Sequence, residues 1–433
     1  MVEIIVLIYK GEGTMIPVEE YAAQLLENVA PLSARLTSID DALGCVLAED
    51  LTARESVPRF TNSAMDGFAI RIRDFDDLRV EKEIDVPLTL PVVGDIAAGD
   101  NRDYVCEKGT AYRIMTGARM PMGADTVVKI EDTDAPRGIA SAPHKVTIKR
   151  IPPLGSHVRR IGQDCAAGDV VLPAGTVMTP AALSSAVSVG YAHVPIRPCV
   201  KVGIITTGDE LVDAGQVLAA SQIPDSNSVL LRGLLEQAGA RIVSVGRTQD
   251  NPEDFSSQLM RTCAKADLIV TSGGISADAF DVVKAAAGKI GLSFSQVAMQ
   301  PGKPQGFGQV HNGAHSSWLC ALPGNPVAVF VSFHVFVRPL LAKLAGNSNP
   351  SYAPSIAAST SAGWTSPAGK RQFVPVRIRW SERSDNIPMM DPTHRLGLRS
   401  HFVASLHAAN GLAIVPESVT NVQENDVLEV IMV

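Results

Sequence analysis

Positive charge is not in excess in this 433-residue chain: 38 Lys and Arg stand against 45 Asp and Glu, a formal net charge of −7 at pH 7. Proteins that hold nucleic acid show basic stripes, so no nucleic-acid partner is expected, and any anionic ligand must be held by a local site. Cysteine is sparse. The six cysteines (Cys45, Cys106, Cys165, Cys199, Cys263, Cys320) are scattered without a Cys-x-x-Cys pair, in a chain too large to need disulfide stapling, which implies a reduced cytoplasm. The nine histidines are dispersed too, leaving no Cys/His metal site and no serine, histidine and acid arrangement. No segment approaches the ~18 apolar residues that cross a bilayer, so no membrane is expected. The opening apolar run, Ile4 to Ile8, is short, follows Glu3 and lacks a small-residue cleavage site; it reads as a loose tail or extended start, with Met15 as an alternative initiator.

What is present is ordinary globular material, 46% hydrophobic and 19% charged, enough for about three domains at roughly 150 residues each. Pro17 to Val29 carries apolar residues on one helical face, and Thr37 to Leu47 repeats that spacing behind the capping candidates Thr37 and Ser38. The two predict a helical platform. From Val57 to about Arg150 short strands alternate with turns, and Pro180 to Val189 then resumes a helical pattern, so the β-rich stretch reads as an insertion.

Lys201 to Leu211 is the centre of the chain: a short apolar run that stops at Thr206, Thr207, Gly208, Asp209 and Glu210. It predicts a buried parallel strand with a ligand beyond its carboxyl end. Strand and helix patterns then alternate to Leu344, predicting a doubly wound parallel sheet with a late β pair at Phe294 to Met299 and Ser317 to Leu322. Short strands after Pro354 predict a small barrel or sandwich.

The strand ends collect the carboxylates Glu210, Asp225, Asp250 and Asp281 with the donors Thr206, Ser272, Gly273, Gly274 and Lys303. Four acids beside an anionic ligand are reconciled by a bridging hard cation, and oxygen-only ligands suit Mg²⁺. Ser272-Gly273-Gly274 offers backbone amides for a phosphate, and Pro323-Gly324-Asn325-Pro326 is a stiffened turn suited to a site wall.

Six blocks in order, Asn62 to Gly67, Arg113 to Ala118, Thr207 to Leu211, Ser272 to Gly274, Pro301 to Pro304 and Leu322 to Pro326, resemble the molybdopterin molybdenumtransferases, the molybdenum insertases that include the carboxy-terminal part of gephyrin. The resemblance implies a multidomain α/β homodimer. Its parts would be an elongated domain over residues 15–57 plus 158–195, an inserted β-rich domain over 58–157, an α/β molybdopterin-binding domain over 196–346 and a C-terminal β-barrel over 350–433. The implied substrates are adenylylated molybdopterin and molybdate, the products molybdenum cofactor and AMP, with Mg²⁺ near Asp250 and Asp281. The family's functional positions fall on Asp66, Asp164, Glu210, Asp250, Asp281, Pro323, Pro326 and Ser400, with Ser400, Lys303 and backbone amides near the molybdate. Asp66 and Asp164 lie in other domains than the strand ends, so that site would be completed by the dimer partner.

The chain departs from the family at Gln296 and Gln300, where lysines are common, leaving Lys303 or Arg371 to compensate, and at Ala277-Asp278, which replaces Val-Gly. Two other readings remain open: the molybdopterin adenylyltransferase of the same pathway, expected here as the partner that supplies substrate, and a non-catalytic scaffold.

Overall fold

A computed structural model of the chain describes residues 15–75, 87–136, 138, 141–275, 282–285, 291–347, 354–380, 387–394 and 401–433. Lys201–Thr207 is a strand flanked by parallel neighbours, Arg241–Thr248 on one side and Leu268–Ser272 on the other. Six of its seven residues are buried. Ile204 and Ile205 explain why, since alternate residues face opposite sides of a sheet. Ile204 packs with Leu231, Leu234 and Leu235 of the helix Ser226–Gln237. Ile205 packs with Phe255 and Leu259 of the helix Pro252–Cys263.

His315–Leu322 continues the parallel order beyond Leu268–Ser272, followed by two antiparallel strands, Pro304–Asn312 and Leu292–Gln296. The expected late pair is therefore three strands, because the chain leaves the turn at Pro301 to Pro304 directly into a ladder.

The last helix of this unit runs Pro326–Ala345 through a π-helical segment, Phe333–Val337. By length and composition it is apolar enough to cross a membrane, which corrects the expectation that no segment approaches that limit. Its most apolar stretch is 83% buried within the fold. The first helix, Val18–Glu27, covers part of it, with Tyr21 placed edge-on to Phe336 at 4.9 Å between ring centroids.

The helix expected over Thr37 to Leu47 does not form. Arg35–Ser38 is a strand paired with His193–Arg197, whose other edge takes Val46–Leu47, and only Ile39–Asp41 makes a single tight turn between them. Ala42, Cys45 and Leu47 gain more by joining Met178, Ala182, Val194 and Ile196 in one core than by facing a helix partner, so non-local pairing overrides the local period. Leu51–Thr52 pairs with Val170–Leu172. The sequence between holds a five-stranded sheet, in the order Thr126–Lys129, Gly67–Ile70, Ala111–Ile114, Leu88–Ile96 and Lys145–Ile148.

At the carboxyl end, Arg371–Arg379, Met389–Pro392, Ser355–Thr360, Val427–Met432 and Gly411–Val415 pair in turn, and the last returns to the first to close a barrel. Met299–Gln300 adds to this barrel in parallel with Arg371–Gln372, tying it to the α/β unit.

Candidate active site

Beyond Thr207 the chain does not begin a helix. Gly208, at φ +149°, lies under the side chain of Glu210, and a Cβ there would meet Glu210 Oε2 at 2.6 Å. The chain then forms Leu211–Val212, paired with Ile223–Pro224. Asp225 follows as the cap of the helix Ser226–Gln237. One of its oxygens accepts from the Ser228 amide at 3.0 Å and the other from the Thr206 hydroxyl at 2.8 Å.

Asn227, in the first turn of that helix, ties the neighbouring strand ends together. Its amide group donates to Ser272 Oγ at 2.9 Å and to the Gly324 carbonyl at 2.6 Å. Ser272 in turn donates to the Pro323 carbonyl at 3.2 Å. Gly273 and Gly274 have φ of +97° and +67° and approach Thr207 so closely that a Cβ on Gly273 would lie 2.7 Å from its carbonyl oxygen. The Gly273 amide is committed to the Leu322 carbonyl, so the expected run of free amides at Ser272 to Gly274 is shorter than the sequence implied.

These elements surround a cleft of about 1450 Å³ at the carboxyl ends of the parallel strands. Gly208, Glu210, Asp225, Asp250, Ser272, Gly273, Gly274, Lys303, Pro323, Asn325 and Pro326 all line it, so most of the residues singled out in the sequence meet in one place. Thr206 does not. It is 1% exposed beneath the surface, with its hydroxyl turned to Asp225. Asp281 and Ser400, together with the Ala277-Asp278 departure, lie outside the described residues.

Lys370 and His401, contributed by the C-terminal barrel, also line the cleft, and no sequence signal pointed to them. Lys370 arrives because Met299–Gln300 pairs with Arg371–Gln372, a contact between stretches about 70 positions apart in sequence, and His401 arrives just ahead of the short helix Val403–Ala408, which packs against Pro326–Ser332. Gln300 faces the cleft from the same junction. Arg371, expected to replace a missing lysine, instead forms ion pairs with Glu19 and Glu417. Among the described residues, Lys303 and Lys370 are the lysines that line the cleft, together with the carboxylates Glu210 and Asp250.

Among the described residues no group of three or more His, Cys, Asp or Glu is placed to hold a metal ion. Glu210 and Asp250 nonetheless supply oxygen donors of the kind a hard cation takes, whereas both oxygens of Asp225 already accept hydrogen bonds. Mg²⁺ characteristically uses one or two carboxylates together with substrate phosphates, and this donor set fits that habit.

Asp66 and Asp164 are not among the residues of the cleft. Asp66 begins the turn into Gly67–Ile70 and accepts from the Thr116 amide at 2.7 Å and the Thr116 hydroxyl at 2.8 Å, which hold its carboxyl below the usual range. Asp164 is exposed on a loop whose amide donates to the Val57 carbonyl at 2.9 Å.

Comparison with known proteins gives matches along nearly the whole chain. Residues 16–190 match the family described as the MoeA N-terminal region (domain I and II), residues 203–343 the probable molybdopterin binding domain, and residues 357–433 the MoeA C-terminal region (domain IV). The molybdopterin molybdenumtransferase 2 of Mycobacterium tuberculosis is 39% identical over 95% of this chain and 97% of its own length. The molybdopterin molybdenumtransferase of Haemophilus influenzae is 34% identical over 83% and 85%. A crystal structure of the molybdopterin biosynthesis MoeA protein from Pyrococcus horikoshii superposes with a TM-score of 0.77 at 26% identity, covering 97% of this chain and 99% of that one.

Proposed function

The chain belongs to the molybdopterin molybdenumtransferase family, and from that membership we propose that it inserts molybdenum from molybdate into adenylylated molybdopterin, releasing molybdenum cofactor and AMP. The observation that carries this reading is the cleft itself, which gathers Glu210 and Asp250 with Lys303 and Lys370 around a glycine turn. Such a surface suits a ligand with phosphate oxyanions and a second, smaller oxyanion.

Lys303 and Lys370 hold the oxyanions, each charged hydrogen bond contributing about 1.5 to 3 kcal/mol. Pro323 and Pro326 keep the wall between strand and helix from shifting as the ligand seats. Glu210 lies over Gly208, where a side chain would meet its carboxylate, and it presents that carboxylate to what lies beside it in the cleft. Asp250, joined by Asp281, would hold Mg²⁺, which when bound offsets the charge of the pyrophosphate and polarises it for cleavage. Ser400 belongs with Lys303 on the molybdate side in this reading.

Asp66 and Asp164 enter the reaction from a second copy of the chain. Exposed apolar side chains next to them support a homodimer: Phe60 and Met65 beside Asp66, and Leu154 and Ile161 ahead of Asp164. Substrate would be delivered by the molybdopterin adenylyltransferase, in the cytoplasm.

The deciding assay is AMP release from adenylylated molybdopterin by the purified chain with magnesium, with and without molybdate. Molybdate-dependent release is the expected result. Tight binding of substrate with no release under either condition would replace the enzyme with a binding protein.

A further inference from the structure

Cys45 and Cys199 are 154 positions apart in sequence, and their sulfurs lie 3.4 Å from each other. Cys45 immediately precedes the strand Val46–Leu47 and is 5% exposed. Cys199 lies between His193–Arg197 and Lys201–Thr207, where the chain passes from the N-terminal sheet into the cleft-bearing one, and is partly exposed. Both are free thiols.

Their surroundings differ. The contact with Cys45, in which either sulfur can donate, together with nearby Arg35 and Arg241, pulls the Cys199 thiol below its ordinary range, while the same contact and burial push Cys45 up. The accessible member of the pair is therefore the one that ionises, and the thiolate is the reactive form. Of the other four cysteines, Cys106, Cys263 and Cys320 are buried. Cys165 is partly exposed, but burial and the neighbouring Asp169 and Asp164 push its thiol up.

We propose that Cys45 and Cys199 form a dithiol site that hydroperoxides oxidise reversibly to a disulfide. The Cys199 thiolate attacks the terminal peroxide oxygen. The O–O bond breaks, Cys199 becomes a sulfenic acid, and the departing oxygen takes a proton to leave as water or an alcohol. Cys45 then loses its proton and attacks the Cys199 sulfur, and the hydroxyl leaves with that proton as water. Two electrons pass from the sulfur pair to the peroxide. The bond fastens the start of the cleft-bearing sheet to the N-terminal core, and a dithiol reductant reopens it.

The experiment treats the full chain with stoichiometric hydrogen peroxide, alkylates the remaining thiols and maps the unreduced digest by mass spectrometry. A joined Cys45–Cys199 peptide, lighter than the two reduced peptides by two hydrogen atoms, is expected, with Cys165 alkylated as before and the peptide lost after reduction. In Cys45→Ser a sulfenic-acid trap should mark Cys199, because nothing remains to resolve it. Full alkylation of both cysteines after peroxide, or first oxidation at Cys165, would overturn the proposal. The wild-type mapping decides this even where the substitution in the core prevents folding.

Discussion

The Asp250 amide donates to the Asp209 carboxylate at 3.0 Å, across the ends of the adjacent strands Lys201–Thr207 and Arg241–Thr248. The return contact, from the Asp209 amide to Asp250 Oδ2, is 3.5 Å and weak. Asp209 is thus the anchor, and the Asp250 carboxylate remains available at the cleft surface.

That asymmetry separates two substitutions. Asp250→Ala should lower molybdate-dependent AMP release by about 10²-fold, the scale for removing one electrostatic catalytic group, with an unchanged thermal midpoint. Asp209→Ala keeps the reactive oxygen atoms but loosens their support, so a smaller loss is expected. Equal losses in steady-state assays would contradict the division of roles.

Thr116 holds Asp66 ionised through two hydrogen bonds. A carboxyl lowered in the folded state stabilises the fold above its unfolded pKa, and that contribution disappears as pH falls through the lowered folded value. Thr116→Val removes the hydroxyl bond. Its thermal midpoint should fall below wild type at neutral pH, and the gap should close in acid as Asp66 protonates in both proteins. A gap independent of pH in scanning calorimetry would assign the loss to packing instead.

His334 is 4% exposed, flanked by Phe330 and Phe333, and neither ring nitrogen has a partner. Burial, with Arg338 nearby, lowers its pKa from the usual value of 6.5 to about 3. The unfolded chain therefore binds a proton that the folded chain refuses as pH drops from 6.5 towards 3, and stability declines across that window. His334→Leu should stabilise the fold by about 1 to 3 kcal/mol, the penalty of an unsatisfied buried polar group. It should also flatten the acid decline. Urea titrations at neutral and mildly acidic pH measure both, and a destabilised variant would mean that the imidazole has a role in packing.

Ile161 is 58% exposed close to Asp164. On the proposed homodimer, placing a charge there, as Ile161→Glu, should shift the chain from dimer to monomer in sedimentation and suppress AMP release, while leaving the far-UV spectrum unaltered. A monomeric variant with full turnover would remove the partner's carboxylates from the reaction.

The α/β unit was readable because its physics is local. The run at Lys201, the cap at Asp225 and the glycine stop after Ala238 each declare an element within a few residues. Thr37 to Leu47 departs from its helical spacing for the complementary reason: that spacing is compatible with a helix, and the strand pairing that wins comes from residues 193–197. Lys370 and His401 follow the same logic. Lys370 reaches the cleft through a two-residue ladder between distant stretches and His401 through the packing of Val403–Ala408 on Pro326–Ser332, neither of which any periodicity encodes. The closeness of Cys45 and Cys199 was hidden by their separation in sequence, where scattered cysteines gave no sign of a pair.

The buried helix Pro326–Ala345 also governs the order in which the molecule can be assembled. Its apolar core includes Phe373, Leu412 and Ile431, which are synthesised after it. Until the final strands emerge, about 20 residues greasy enough for a bilayer have an incomplete cover, and exposed surface of this kind is where nascent chains aggregate. A chain shortened before Leu412 would keep every cleft residue that precedes that point and yet precipitate, since its ending is what shields its middle.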